Sequence, residues 1–230
     1  MSQTDYRFTK FYNKWALYSS ILNLFGLSIV WIYGNAFPWV LFTTCSFGIY
    51  IYRIPKYIGS LSAWIGYANW VSISRFILVI LLFAFHHSLS ATFLFGFFLI
   101  SICLDGLDGY LARRFKHISD VGGKLDMEID AFMVLAISWI HVEEQNLHWW
   151  ILVPGSLRYL YEIISFWVKK DGKELMSKKY RATIAVIFFL ALLIPFLTQS
   201  PSLIIVTYIS GALIIFSFLV SLFSQIENSK

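Results

Sequence analysis

"DGLDGYLARRFKHISDVGGKLDMEID", residues 105–130, places two closely spaced pairs of Asp on either side of a basic segment that also contains glycines. Asp105 and Asp108 are three positions apart, and Asp126 and Asp130 are four apart. On a helix, both spacings put the paired side chains on one face. We therefore expect two helices that each present a pair of carboxylates, which a helix–helix contact can bring together.

The sequence around this stretch is strongly apolar, so a carboxylate there is expensive to bury. The 230 residues are 58% hydrophobic and 13% charged, with a mean hydropathy of +0.69. A soluble domain carries about a quarter charged residues, so this chain has too little polar material for a water-facing surface. The aromatic content of 19% suits rings at a lipid headgroup boundary. The composition predicts an integral membrane protein.

Apolar runs recur along the whole chain. A helix needs about 20 apolar residues to cross a bilayer, and tilting or local thinning accommodates shorter runs. The pattern predicts an all-α, polytopic membrane helix bundle. Its eight spans are expected at residues 17–33, 37–52, 71–86, 91–107, 125–142, 148–168, 182–198 and 202–222. The alternative is a different number of spans, because residues 17–52 could form one re-entrant hairpin.

Positive charges divide unevenly between the two sides of this bundle. With a cytoplasmic N-terminus, the cytoplasmic segments hold 16 of the 18 Lys and Arg residues, and the other two, Arg75 and Arg158, fall within spans. Such an asymmetry fits the positive-inside tendency and turns the Asp motif toward the cytoplasm. The formal net charge of +5 then indicates loops facing anionic headgroups rather than nucleic acid.

Four carboxylates in a dry interior repel one another, and each is costly to desolvate. They must take up protons or hold cations, and ligand sets made only of oxygen favour Mg²⁺, Mn²⁺ or Ca²⁺ over zinc. Gly106 and Gly109 remove side chains beside the first pair, and Arg113 is available to a phosphate oxygen. Taken singly, the Asp residues could cap helices and the glycines could allow close helix packing. The joint pattern favours a metal and phosphate site.

The same stretch resembles the signature of the CDP-alcohol phosphotransferase (CDP-alcohol phosphatidyltransferase) family, D-x2-D-G-x2-A-R-x8-G-x3-D-x3-D. "NWVSISR" at 69–75 is similar to the family's N-x2-T-x2-R element, with Ser72 in place of Thr, and "KKYRA" at 178–182 is similar to its basic K-x-K/R element. The eight fixed positions of the signature are all occupied, by Asp105, Asp108, Gly109, Ala112, Arg113, Gly122, Asp126 and Asp130.

The resemblance implies an organisation around a six-helix catalytic core at residues 71–222. An extra N-terminal transmembrane hairpin at 1–54 and an interfacial helix at 55–70 would precede this core, and a short cytoplasmic tail at 223–230 would follow it. The family's core gives the N-terminal hairpin no role. The resemblance also implies a homodimer, and we expect an enzyme of the bacterial inner membrane.

The activity that the resemblance implies is transfer of a substituted phosphate from a CDP-linked donor to the hydroxyl of an alcohol acceptor, with release of CMP. CDP-diacylglycerol is the expected donor, although a CDP group on the small alcohol stays open, and so does the identity of the acceptor. By resemblance, two Mg²⁺ or Mn²⁺ ions bind Asp105, Asp108, Asp126 and Asp130, and Asp130 is also the general base. The substrate-binding residues expected are Gly109, Ala112, Arg113, Ser119, Gly122, Arg158, Lys179 and Arg181.

Several of these residues have a plausible alternative role. Arg158, a lone cation within a span, could bind the acceptor or a lipid phosphate, or it could pair with Glu162 one turn on. Lys179 and Arg181 could bind phosphate or only set the topology. The structural candidates are His86 and His87 at the far membrane boundary, and Cys45 and Cys103, which we expect to be small core residues.

Two other functional classes fit parts of the pattern. A prenyltransferase of the UbiA kind also uses paired Asp motifs, but its N-D-x2-D-x3-D pattern begins with an Asn-Asp pair that this chain lacks. A divalent-cation transporter could use the same Asp cluster, but it needs polar residues along a path through the bundle. Residues 182–198 and 202–222 offer few of these.

Overall fold

Helices make up the regular structure of the chain. The computed structural model describes residues 3–58, 67–114, 120–167 and 178–227, with the side chains at 3–6, 58, 67–69, 105–114, 120–121, 178–179 and 224–227 left undescribed. Within these ranges no strand occurs, and short 3₁₀ turns lie at His86–Ser88 and Trp149–Ile151. The helices are α1 (Gln3–Tyr33), α2 (Phe37–Ile58), α3 (Tyr67–Phe85), α4 (Ala91–Arg114), α5 (Asp120–Glu143), α6 (Leu152–Trp167), α7 (Lys178–Ala191), α8 (Ile194–Leu197) and α9 (Pro201–Glu227).

In the described part of the chain, four segments are long and apolar enough to cross a membrane: Arg7–Tyr33, Trp70–Ser88, Tyr180–Leu197 and Pro201–Phe223. Large apolar side chains stand exposed along several of these helices, in numbers that water would not tolerate but lipid would. The protein is therefore an integral membrane protein with an all-α fold, as the composition predicts. The eight predicted spans coincide, over most of their described residues, with helical segments, but the number that cross the bilayer stays a prediction.

A tight turn joins α1 to α2. Gly34 adopts a positive φ of 66°, which a residue without Cβ takes up without strain, and its N–H donates to the Val30 carbonyl at 2.8 Å. The Asn35 side-chain oxygen then accepts a hydrogen bond from the Phe37 N–H at 2.9 Å, which satisfies a free donor at the start of α2. These local interactions end one helix and begin the next.

Polar side chains then fix α1 against α2. Asn23 Oδ1 accepts hydrogen bonds from Trp39 Nε1 at 3.0 Å and from Thr43 Oγ1 at 2.7 Å, and all three residues are buried. Trp15 Nε1 donates to the Ser46 carbonyl at 3.0 Å. Hydrogen bonds between helices set their register, because an apolar surface alone does not choose one partner helix over lipid.

Contacts within the chain divide it into two units. The first contains α1, α2 and residues 158–167 of α6. The second contains the start of α6 together with α3, α4, α5, α7, α8 and α9. Residues 131–141 of α5 are all buried, so neighbouring elements surround this helix on every side. Helix α3 packs against both α4 and α5, the two helices that carry the Asp pairs.

Pro195 explains a break in the predicted span 182–198. Proline has no N–H, and its ring clashes with the carbonyl four positions earlier, so α7 ends at Ala191. The carbonyls left open are bound by other elements: Thr207 Oγ1 donates to the Ala191 oxygen at 2.7 Å, and His141 Nε2 lies 2.8 Å from the Leu192 oxygen. Helix α8 then continues the segment.

The structure bears on the two cysteines and on the predicted interfacial helix. Cys45 and Cys103 are exposed and are not core residues, so that prediction is wrong. The predicted interfacial helix at 55–70 falls partly outside the described residues, at 59–66. Its first residues continue α2, and its last ones begin α3.

Candidate active site

Arg75, on α3, joins the two carboxylates of the second Asp pair. Its side chain is fully buried. Nη1 donates to Asp126 Oδ1 at 3.0 Å, and Nη2 donates to Asp130 Oδ1 at 2.7 Å. A single guanidinium from α3 thus binds two side chains of α5.

The two carboxylates lie on one face of α5. Each has a side chain that is 31% exposed, whereas Leu125 and Ile129 beside them are fully buried. The shared contact with Arg75 puts Asp126 and Asp130 on the same side of the helix, as their spacing predicts. The buried neighbours hold this face in place while the carboxylates stay accessible to a ligand.

Arg75 alone does not neutralise the second Asp pair. Its one positive charge faces the two negative charges of ionised Asp126 and Asp130, so this guanidinium leaves room for a further cation at the pair. A carboxylate has two oxygens and about four acceptor positions, so one Asp can bind a guanidinium and a metal ion together. Convergent, partly exposed oxygen ligands fit Mg²⁺ or Mn²⁺. The described residues are therefore compatible with a divalent metal.

The first Asp pair is on α4, and its side chains lie outside the described residues. This applies to Asp105 and Asp108, whose backbone is helical. The predicted convergence of all four carboxylates thus stays a prediction, supported by the packing of α3 against both α4 and α5. The predicted substrate-binding side chains that also lie outside the described residues are Gly109, Ala112, Arg113, Ser119 and Lys179.

Gly122 and Arg181 are described. Gly122 lies in the first turn of α5, one turn before Asp126, and is partly exposed. Arg181 lies near the start of α7 and is also partly exposed. Both belong to the second unit, with Arg75 and the Asp pair. Their roles in binding substrate stay predictions.

Arg158 forms an ion pair on its own helix. Its Nη1 is 3.1 Å from Glu162 Oε1, and its Nη2 donates to the Tyr12 hydroxyl at 3.0 Å. This is the pairing that the four-residue spacing predicts as the structural alternative. Binding of a phosphate by Arg158 stays a prediction, and such binding would have to compete with Glu162.

Arg75 is the residue that reasoning from the sequence leaves out of the site. Two signals pointed to it: a lone cation within an apolar span, and the position of this Arg at the end of "NWVSISR". Neither signal identifies its partners, because Asp126 and Asp130 lie 51 and 55 positions further along the chain. The helix packing supplies that information.

Comparison with known proteins identifies the family that the Asp motif resembles. The sequence model of the CDP-alcohol phosphatidyltransferase family matches residues 65–223. Over 81 residues the chain is 35% identical to a CDP-diacylglycerol–glycerol-3-phosphate 3-phosphatidyltransferase of Yersinia pestis (strain Pestoides F) and 36% identical to one of Yersinia enterocolitica. An enzyme of the same name from Pectobacterium atrosepticum is 35% identical.

These matches to single relatives are partial. Each covers 34% of this chain and 44% of the relative, so the chain spans less than half the length of the curated relatives it matches. No solved structure matches. The family match, by contrast, covers more than half of the chain and contains all four Asp residues of the motif together with Arg75. The chain therefore belongs to the CDP-alcohol phosphatidyltransferase family.

Proposed function

We propose that this chain is a metal-dependent phosphatidyltransferase, which transfers a phosphatidyl group from CDP-diacylglycerol to the hydroxyl of a small alcohol and releases CMP. The observation that carries the proposal is the pairing of Arg75 with both Asp126 and Asp130 inside the family region. The relatives are named for glycerol 3-phosphate, which makes it the first acceptor to test.

The proposed reaction breaks the phosphoanhydride bond of the CDP group and forms a new phosphate ester bond. The acceptor oxygen forms a bond to the phosphorus that carries the diacylglycerol. The bond from that phosphorus to the bridging oxygen breaks, and CMP leaves with that oxygen. Asp130, as the general base, takes the proton that the acceptor hydroxyl loses.

Arg75 has a positioning role in this proposal. Its two N–H groups hold the side chains of Asp126 and Asp130 in fixed orientations on α5. Asp130 would then already be oriented toward the acceptor hydroxyl when the substrates bind. Asp126 and Asp130 are the proposed metal ligands, together with Asp105 and Asp108. The family is generally dependent on divalent metals, and an ion held by these carboxylates would neutralise charge on the diphosphate and on the departing CMP.

The remaining site residues are proposed as substrate contacts. Small residues would let the diphosphate approach the backbone, and basic ones would bind its oxygens or an acceptor phosphate. The first group is Gly109, Ala112, Ser119 and Gly122, and the second is Arg113, Arg158, Lys179 and Arg181.

We further propose that the protein is multi-pass, with its active site toward the cytoplasm. The support is the distribution of Lys and Arg, because 16 of 18 fall in segments predicted to be cytoplasmic. The curated relatives are bacterial, which supports the inner membrane as its location. A homodimer stays a prediction from the family resemblance.

The test is an assay of the purified protein with CDP-diacylglycerol, Mn²⁺ and a panel of alcohols. We expect release of CMP together with one new phospholipid, identified by mass spectrometry, whose headgroup comes from the preferred alcohol. Labelled isoprenyl diphosphate serves as the rival donor. Transfer of its prenyl group, or metal uptake into vesicles without CMP release, would favour a rival class and overturn the proposal.

A further inference from the structure

His86, His87 and Glu143 form a second polar cluster, at the ends of α3 and α5. His86 Nε2 lies 3.2 Å from Glu143 Oε2, and His87 Nε2 lies 3.5 Å from Glu143 Oε1. One ligand atom from each residue can be chosen so that all three lie within 4.8 Å of one another. His86 is eleven positions beyond Arg75, or about 16 Å along a helix axis, so this cluster is separate from the Asp site.

The hydrogen bond at His86 limits its protonation. Nδ1 is 2.6 Å from the Phe83 carbonyl oxygen, which can only accept, so Nδ1 carries the proton. In the neutral ring, Nε2 then presents a lone pair to the Glu143 carboxylate at 3.2 Å. Two acceptors at this distance repel each other unless a cation lies between them. That cation is either a second proton on the ring or a metal ion.

The orientation of the His86 ring relative to Glu143 favours a metal ion over a second proton. Glu143 is close to His86 Nε2, but the pair does not meet the angular requirement of a hydrogen bond, and within the described residues this buried nitrogen has no hydrogen-bond partner. A proton on Nε2 would thus point away from the carboxylate. Tetrahedral zinc with bonds of about 2.0–2.2 Å places neighbouring ligand atoms about 3.4 Å apart, close to both separations in the cluster.

The surroundings match those of metal ligands in other proteins. A ligating His commonly donates its other ring N–H to a backbone carbonyl, as His86 does to Phe83. The carboxylate is also oriented, since Trp139 Nε1 donates to Glu143 Oε2 at 2.9 Å. Imidazole nitrogens favour zinc and its transition-metal neighbours over Mg²⁺.

We propose that His86, His87 and Glu143 bind one transition-metal ion, with Zn²⁺ as the first candidate and water as a further ligand. The ion would join the end of α3 to the end of α5, the two helices that carry Arg75 and its Asp partners. Its role is structural, and it differs in ligand chemistry from the oxygen site of the Asp residues. The proposal does not depend on the transferase activity.

The test measures zinc bound to the full-length protein in detergent, stripped with chelator and then titrated with Zn²⁺ in excess Mg²⁺, which occupies oxygen sites. His87→Ala is the main variant, because His87 is exposed and its loss leaves the core intact. His148→Ala is the matched control, since His148 is also exposed and lies outside the cluster.

We expect one zinc per chain in the wild type and in His148→Ala, and an affinity lowered by more than about tenfold in His87→Ala. Zinc should also raise the melting temperature of the wild type and leave that of His87→Ala unchanged. Equal zinc binding by wild type and His87→Ala would overturn the proposal. A folded wild type that binds no zinc would also overturn it, and the cation between His86 and Glu143 would then be a proton.

A second inference comes from the first unit, where α1 and α2 line a partly open cavity of about 590 Å³. Because the two helices are antiparallel, the start of α1 and the end of α2 lie at the same end of the cavity. One end carries four cations, and the other is apolar and includes Leu22 and Phe42. The cations are Arg7, Lys10, Lys14 and Arg53.

These four cations are exposed, and within the described residues no carboxylate pairs with them. Concentrated positive charge beside an apolar channel complements a ligand with a phosphate at one end and hydrocarbon at the other. From Arg7 to Leu22 the helix rises about 22 Å, enough for a headgroup and much of an acyl chain. The hydrogen bonds of Asn23 to α2 keep the two helices together.

We infer that this cavity binds an anionic phospholipid of the bilayer, which gives the N-terminal hairpin a role that the family core does not supply. The experiment places the full-length protein in nanodiscs that contain a photoactivatable phosphatidylglycerol or a phosphatidylcholine with the same acyl chains. Crosslinks are then mapped to peptides of α1 and α2.

We expect crosslinks from phosphatidylglycerol at the cavity, reduced about fivefold by Arg53→Gln. Lys56→Gln is the matched control, because Lys56 is exposed on the same helix but does not line the cavity, and we expect no change from it. Equal crosslinking by both lipids, or equal loss in the two variants, would reduce the cavity to ordinary lipid contact and overturn the inference.

Discussion

At the scale of single residues, the proposed site depends on one cation between two carboxylates. Arg75 is fully buried and holds Asp126 and Asp130, whose side chains remain about a third exposed. The guanidinium compensates part of their repulsion, and the exposure lets a ligand reach them. The proposed chemistry therefore uses the two carboxylates that Arg75 holds in place.

Asp130→Asn keeps the size of the side chain and removes its capacity to accept a proton. We expect CMP release to fall to background while the melting temperature in detergent changes little. Glu144→Gln is the control, because Glu144 is an exposed carboxylate whose described partner is Asn146. An active Asp130→Asn enzyme would rule out Asp130 as the base.

Arg75→Lys separates charge from geometry. Lysine keeps the positive charge, but its ammonium lacks the planar fork that reaches two carboxylates at once. We expect kcat to fall, on the order of 100-fold, with a much smaller change in KM for CDP-diacylglycerol. Arg75→Leu should also lower the free energy of unfolding by about 2 kcal/mol, less than for a fully buried pair because the carboxylates can hydrate. Wild-type kcat in Arg75→Lys would remove the positioning role.

The sequence predicts only part of this site. The spacing of Asp126 and Asp130 predicts their common helix face, because that relation is local to one helix. The partner Arg75 is not predictable from local spacing, since it comes from another helix. The opposite holds for Arg158, where a partner one turn away was predictable and the structure contains that pair.

At the scale of helices, close packing of α6 against α5 depends on one glycine. A Cβ on Gly155 would lie 2.7 Å from Leu135 Cγ and 2.8 Å from its Cδ2. Leu135 is fully buried and has little room to move. A larger residue at 155 must therefore push the two helices apart.

Gly155→Ala should lower the free energy of unfolding by about 1–3 kcal/mol, measured by thermal or denaturant melting in detergent. Gly96→Ala in α4 is the control, because a Cβ there meets nothing within 4 Å. In that helix interior, alanine should be neutral or stabilising by up to about 1 kcal/mol. Equal effects of the two substitutions would contradict the packing explanation.

Apolar runs in the sequence predict that a helix is present better than they predict the residues at which it begins and ends. The run 182–198 contains Pro195, and the helix there divides into α7 and α8 because proline excludes the regular hydrogen bond. Helix α1 begins well before the predicted span at residue 17, since helical structure extends beyond the apolar segment. Hydropathy measures which residues suit lipid, and it does not measure where the backbone stops being helical.

At the scale of the whole molecule, composition is enough to predict a membrane protein with an all-α fold. It is not enough to predict the two units, because these depend on which helices touch. Residues 158–167 of α6 belong with α1 and α2, and no local sequence pattern predicts this grouping. The family region 65–223 is recognisable from the motif at 105–130, whose spacing is long and complete.

The positive-inside distribution predicts a topology that can be measured. In a background with Cys45→Ser and Cys103→Ser, we expect Gln145→Cys to react with an impermeant thiol reagent added outside intact cells. Lys124→Cys should react only after the membrane is permeabilised, because it lies on the predicted cytoplasmic side. The reverse pattern would invert the proposed orientation of the active site.

The most direct test of the proposed metal-dependent transfer is CMP release by the purified protein from CDP-diacylglycerol, compared with and without divalent metal. We expect no CMP in EDTA and full recovery when Mg²⁺ or Mn²⁺ is restored, since repelling carboxylates need a cation to act on a diphosphate. Undiminished CMP release in the presence of chelator would contradict it.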